Sequence, residues 1–300
     1  MTYDQTVGRA GTAQVLPRVR TITPHDLVDA LAKGFDDFWA MPTHVIFLSL
    51  IYPIIGVVAA WAAFGYNLLP LFYPAAAGFA LIGPFAAIGL YELSRRRELG
   101  HDADWSHAFD LLQADSFRSI LALGLFLLAL FGLWIAVAQS IYVSLFGYAD
   151  PESIDNFARQ VLTTEAGHRM ILIGNGIGFL FALVAFTVSV VAFPLLIDRE
   201  IGPIGAALTS VRAVLHNPLT MALWGLIVAA ALLLGSLPFF IGLAIVLPVL
   251  GHATWHLYRK VVVADDLPAR ELHPTPPKGR RYAADFPAVL FPVYDKPTHD

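Results

Sequence analysis

His252 and His256 stand four residues apart in a long apolar run, so in a helix they share one face. Imidazoles at that spacing can hold a metal ion or form half of a haem site, with His44 as a third candidate. No carboxylate is spaced to complete such a site, and Trp255, His256 and Tyr258 also read as an amphipathic belt at a headgroup layer. Glu92 and Asp198 close two apolar runs, with Arg95 and Arg199 beside them. Paired carboxylates can do acid–base work at a membrane surface; local ion pairs account for the same residues. Arg95, Arg96 and Arg97 form a basic run suited to an anionic lipid headgroup. Gly174, Asn175 and Gly178 lie at the start of an apolar helix rather than after a strand, so they suit close helix packing and not a dinucleotide loop. Nucleophile elbows, phosphate loops, kinase motifs and zinc-protease motifs are missing from the chain. The expectation is a protein without catalytic residues, metal or cofactor.

Composition explains where these residues must sit. Of 300 residues, 57% are hydrophobic and 14% charged, against about 25% charged in soluble domains, and the mean hydropathy is +0.65. A net charge of -4 and the lack of a basic, aromatic-rich face argue against a nucleic-acid partner. With no cysteine, disulfides and thiolate metal sites are ruled out. The first 43 residues contain charges throughout and no apolar signal core, so no cleavable leader is expected.

A bilayer crossing takes about 20 apolar residues, and the pattern predicts an all-α polytopic protein with six spans. These fall at residues 44–64, 68–91, 119–143, 170–196, 218–235 and 238–258, inside a membrane domain at 24–262. Residues 1–23 form a polar tail, and 263–300 a Pro-rich one. The run 218–262 is too long for one span, and Gly235, Ser236 and Pro238 at its middle predict a helical hairpin. Segments 24–40, 104–118 and 204–217 read as amphipathic helices on the membrane surface. Each precedes two spans, which predicts three repeats of one unit. Arg97-Glu98-Leu99-Gly100 and Arg199-Glu200-Ile201-Gly202 stand at equivalent junctions. Of the 19 Lys and Arg residues, all but Arg159 and Arg169 fall on one side of such a topology, so both termini are expected in the cytoplasm. None of the six spans carries a charged residue in its central turns, which argues against a proton pump or ion-coupled transporter.

Three segments carry a family resemblance: Phe35-Asp36-Asp37-Phe38, Gly89-Leu90-Tyr91-Glu92-Leu93-Ser94-Arg95-Arg96 and Phe193-Pro194-Leu195-Leu196-Ile197-Asp198-Arg199. Through them the chain, over residues 22–263, resembles a family of predicted bacterial integral membrane proteins of unknown function. The resemblance implies an inner-membrane location and no established activity. Members are often labelled cytochrome c oxidase subunit I. That label needs about six intramembrane histidines, and only His44, His252 and His256 lie near a span here.

The function expected is that of a non-enzymatic accessory, assembly or scaffold component, in contact with membrane lipids and a membrane-protein partner. A facilitator or lipid-handling transporter is the alternative, and a haem- or metal-binding membrane protein using His252 and His256 the third reading.

Overall fold

Thr23 starts the first helix. Its main-chain N–H and its hydroxyl both donate to the Asp26 carboxylate, at 2.9 and 2.8 Å, and Pro24 follows in the first turn, where its missing N–H costs nothing. Helix α1 then runs Pro24–Ala40. The structure, a computed structural model, describes residues 16–41, 69–104, 116–148, 151, 153–237, 241–265 and 267–270.

Among these, four helical stretches are long and apolar enough to cross a membrane: Leu69–Glu98, Phe117–Phe146, Glu165–Asp198 and Pro218–Ser236. They coincide with the second to fifth expected spans, and the chain is a multi-pass α-helical membrane protein. The expected span at 44–64, with His44 and Trp61, lies outside the described residues. So do most of the segment 104–118 and the tails before 16 and after 270.

The first stretch is broken into α2 (Leu69–Phe79), a 3-10 turn (Ala80–Ile82), α3 (Gly83–Ala86) and α4 (Ile88–Glu98). Helix α5 is Phe117–Phe146. Between the expected spans 119–143 and 170–196 lies α6 (Ile154–Thr163), capped by Ser153, and Thr164 caps α7 (Glu165–Ser189). A turn separates α7 from α8 (Ala192–Asp198), which is followed by α9 (Pro203–His216) and α10 (Pro218–Ser236). Helix α11, Leu243–Val261, ends in β2 (Val262–Val263), which pairs antiparallel with β1 (Arg18–Val19). Of the predicted hairpin turn, Gly235 and Ser236 fall in the last turn of α10 and Pro238 lies outside the described residues; a Cβ on Gly242 would lie 2.8 Å from the Gly235 carbonyl oxygen, so glycine at 242 lets the two helix ends approach. Helix α11 is less apolar than the four stretches, because Pro248, His252, His256, Arg259 and Lys260 fall within it.

Burial is concentrated at one end of the molecule, the end that carries the basic residues. Residues 90–96 of α4, all of α8, and α11 from Pro248 to Ala253 are buried, as are Trp255, Leu257 and Tyr258. Fully buried Leu93, Phe193, Leu195 and Leu196 each contribute about 1.5–3 kcal/mol. By contrast, only 28% of the most apolar window of α5 and 17% of that of α10 is buried. This cap corrects two expectations. Trp255 and Tyr258 are 1% and 0% exposed, so they are core residues and not a headgroup belt. Helix α1 does not lie alone on a surface: Leu27, Ala30, Gly34, Asp37 and Phe38 face protein. Contacts run from Asp26 at Lys260 through Gly34 at Ala253, so α1 packs antiparallel along the C-terminal half of α11. Val28, Phe35 and Trp39 are left as an exposed apolar stripe.

The two Arg-Glu-x-Gly junctions also fold differently. Gly100 ends α4 with φ of 74°, whereas Gly202 is an extended N-cap to α9 with φ of -76°.

Gly34 is the closest point of the α1–α11 contact: a Cβ there would sit 2.7 Å from Ala253 Cβ and 2.8 Å from the Val249 carbonyl oxygen. Gly34→Val should therefore loosen α1 at a cost of about 1–3 kcal/mol. Gly174→Val, at a position with open space around it, should be neutral; thermal unfolding of the two purified variants checks the contrast.

Candidate functional site

Asp198 is the last residue of α8, and the break at 190–191 turns this short helix into the cap. Its Oδ2 accepts from Tyr258 Oη at 2.7 Å, Arg199 Nε at 3.1 Å and Arg259 Nη1 at 3.3 Å. Arg95 Nε approaches Oδ1 at 3.7 Å. One turn before Arg95, Glu92 accepts from Arg96 Nε at 2.8 Å and Arg95 Nη1 at 3.5 Å. Glu98 accepts from Trp255 Nε1 at 2.8 Å and Arg259 Nε at 3.0 Å. The segment after β2 is strapped on by main-chain contacts. Glu200 N–H donates to the Pro268 carbonyl and Arg270 N–H to that of Asp198; Arg199 donates to Leu267 and Arg95 to Arg270.

Beside this network lies a second cluster with Asp37 at its centre. Asp37 is 4% exposed, on the buried face of α1. Its Oδ2 accepts from the Ser94 hydroxyl at 2.6 Å and lies 2.9 Å from His256 Nε2, and Arg97 pairs with Oδ1. Ser94 Oγ is also 2.7 Å from His252 Nδ1. His252 is 0% exposed, and its other nitrogen, Nε2, has no hydrogen-bond partner. On the outer side of Asp37 an open pocket of about 560 Å³ is lined by Lys33, Asp36, Arg97, Glu98, His256 and Arg259 among others. Burial pushes the Asp37 carboxyl up, but the bonds from His256 and Ser94, with both imidazoles nearby, outweigh it and hold the group below its usual range. Asp26, which with Asp29 binds Lys260 at 3.1 and 2.8 Å, is lowered from 3.8 to about 2, first by the Thr23 N–H and hydroxyl and then by Lys260.

The sequence candidates divide accordingly. His252 and His256 do reach one site, but they turn to Ser94 and Asp37; no cluster of three or more His, Asp or Glu among the described residues is placed to hold a metal. Arg95 and Arg96 are 4% and 2% exposed and directed to carboxylates and a carbonyl inside the cap, so they do not present a headgroup site as expected. Arg97 reaches the pocket but pairs with Asp37. Gly178 packs on the Trp134 ring, which a Cβ at this position would meet at 3.0 Å, whereas Gly174 faces open space; Asn175 accepts from Tyr73 Oη at 2.8 Å. Glu92 and Asp198, expected as local ion pairs, belong to one network joined by Arg95. Asp37 and Ser94 escaped notice as site residues. The legible signal was an acid at the spacing of Ala30, Gly34 and Phe38, the apolar face of α1.

Removing a partner from a buried ion pair leaves a desolvated charge and costs about 3–5 kcal/mol. Asp198→Ala should fall in that range, and Tyr258→Phe, which removes one hydrogen bond, should cost about 1 kcal/mol. Denaturant unfolding of the purified variants measures both. Asp26 and Asp37 have lowered folded-state values, so their contribution to α1 docking is complete above the usual 3.8 and is lost as pH falls through the lowered values. A distance measured between labels on α1 and α11 should lengthen in acid and not in mild alkali.

Curated proteins and solved structures offer no match to this chain. Residues 72–198, from α2 to the end of α8, match the family described as predicted integral membrane protein (DUF2189), whose function is unknown.

Proposed function

We propose that this protein is a non-enzymatic accessory or scaffold component of the bacterial inner membrane, with six spans in three related hairpin units and both termini in the cytoplasm. The observation that carries the reading is the contrast between the two ends of the fold. One end is a cap in which Glu92, Asp198 and Glu98 tie α4, α8 and α11 together. The helices leading from it keep long apolar faces uncovered, including Leu125 and Leu133 on α5, Leu172 and Phe179 on α7, and Leu226 and Leu233 on α10. A base tied by buried ion pairs, with apolar helix faces leading from it, suits lateral contact with lipid and partner helices. The three segments of family resemblance, around Asp37, Ser94 and Asp198, all meet in this base, which agrees with a role for the base itself. The open pocket beside Asp37 favours the facilitator reading as the alternative, with the pocket as vestibule.

Purification in mild detergent from native membranes should recover a partner in fixed stoichiometry, and the Asp198→Ala variant should lose it. A protein that is repeatedly isolated alone, yet moves a solute across reconstituted vesicles above the empty-vesicle background, would replace the scaffold reading with the facilitator.

A further inference from the structure

The Asp37 cluster contains more than a docking contact requires. A line of exchangeable groups leads from the open pocket through Asp37 and Ser94 to a fully enclosed imidazole, with successive contacts of 2.6 and 2.7 Å. Ser94 has one hydroxyl proton and two neighbours that can receive it. When that proton goes to the Asp37 carboxylate, the Ser94 oxygen accepts from Nδ1–H of His252. The neutral ring then has a bare Nε2, and this is the buried atom without a partner. The main chain of Leu90 lies beside the ring and favours its protonated form, without making a full hydrogen bond to Nε2. The charged groups facing His252 are Asp37 from α1, Arg97 from α4 and His256 from α11 itself.

We propose that Asp37, Ser94 and His252 form a proton-relay site that connects the pocket with the interior imidazole. Suppose a proton binds at Nε2. The Nδ1 proton of the resulting imidazolium passes to Ser94 Oγ as the hydroxyl proton of Ser94 passes to Asp37. His252 is then neutral with its proton on Nε2, Ser94 keeps one proton, and Asp37 is a carboxylic acid that releases its proton to water in the pocket. The reverse sequence carries a proton inward. Both contacts are at hydrogen-bond length in either arrangement, so heavy atoms need not move. His256 and Arg97, on the pocket side of Asp37, stabilise the carboxylate to which the relay returns. Ser94 is the positioning and bridging residue, since His252 Nδ1 and Asp37 Oδ2 are 3.9 Å apart without it. The relay is independent of the scaffold reading, because it concerns what the base binds and not what the spans contact.

The test uses the full chain in lipid nanodiscs, with ring-15N histidine followed by NMR and carboxyl stretching followed by infrared difference spectra. His252→Gln assigns the His252 signals. On acidification from neutral pH, the wild-type His252 nitrogens and the Asp37 carboxyl should change together with one midpoint. In Ser94→Ala the two should separate, with His252 remaining neutral over the range in which Asp37 protonates; Ser94→Thr should restore the common midpoint. Circular dichroism confirms that each sample stays helical. The relay is overturned if Ser94→Ala lowers stability but leaves His252 titrating as in the wild type, or if wild-type His252 never changes protonation while the protein is folded.

Discussion

Asp198 holds its charge inside the protein, and this constrains the rest of the cap. A carboxylate removed from water loses several kcal/mol of solvation unless its oxygens are fully engaged. Here the engagement comes from α4 through Arg95, from α11 through Tyr258 and Arg259, and from the neighbouring Arg199. Two of these groups also hold a second acid: Arg95 holds Glu92, and Arg259 holds Glu98. Moving any one helix would therefore strand a charge on another. The requirement is directional in a way that hydrophobic contact is not, and it sets the mutual placement of three helix ends.

The second consequence concerns the chain termini. Carbonyls of Leu267 and Arg270 accept from Arg199 and Arg95, so the segment after β2 becomes part of the same polar shell. At the other end β1 pairs with β2, and Asn217 bonds the main chain of Arg20 and Ile22. Helix α1 is thereby delivered to α11, where Gly34 permits close approach and Asp37 meets Ser94 and His256. Outside this shell, among the described residues, the spans are joined by neutral hydrogen bonds such as Tyr73 Oη to Asn175 and Trp134 Nε1 to the Pro74 carbonyl. Their exposed Leu, Ile and Phe side chains are at ease in hydrocarbon, where water exclusion no longer forces helices together.

The second to fifth expected spans were legible because hydropathy over about 20 residues is a local property. The same holds for α1, which occupies the predicted segment 24–40. The candidate site was legible only as fragments. His252 and His256 were visible as a pair, and Glu92 with Arg95 as an ion pair, since these spacings are set by one helix. Asp37 was not visible as their partner, because Ser94 is 57 residues from Asp37 and 158 from His252. Repeated motifs misled at one point: identical Arg-Glu-x-Gly spacing at 97–100 and 199–202 became a left-handed helix end in one copy and an extended cap in the other.

By itself, the sequence determined membrane residence, helical class and the positions of four long apolar helices. Each follows from apolar length, which acts over neighbouring residues. Only the tertiary structure decided that the Arg95–Arg96 pair points inward, that Trp255 and Tyr258 are core, and that α1 covers α11 with Asp37 against Ser94. Charged and aromatic side chains suit a wet surface or a satisfied interior equally well, and partners from distant segments settle which one they occupy.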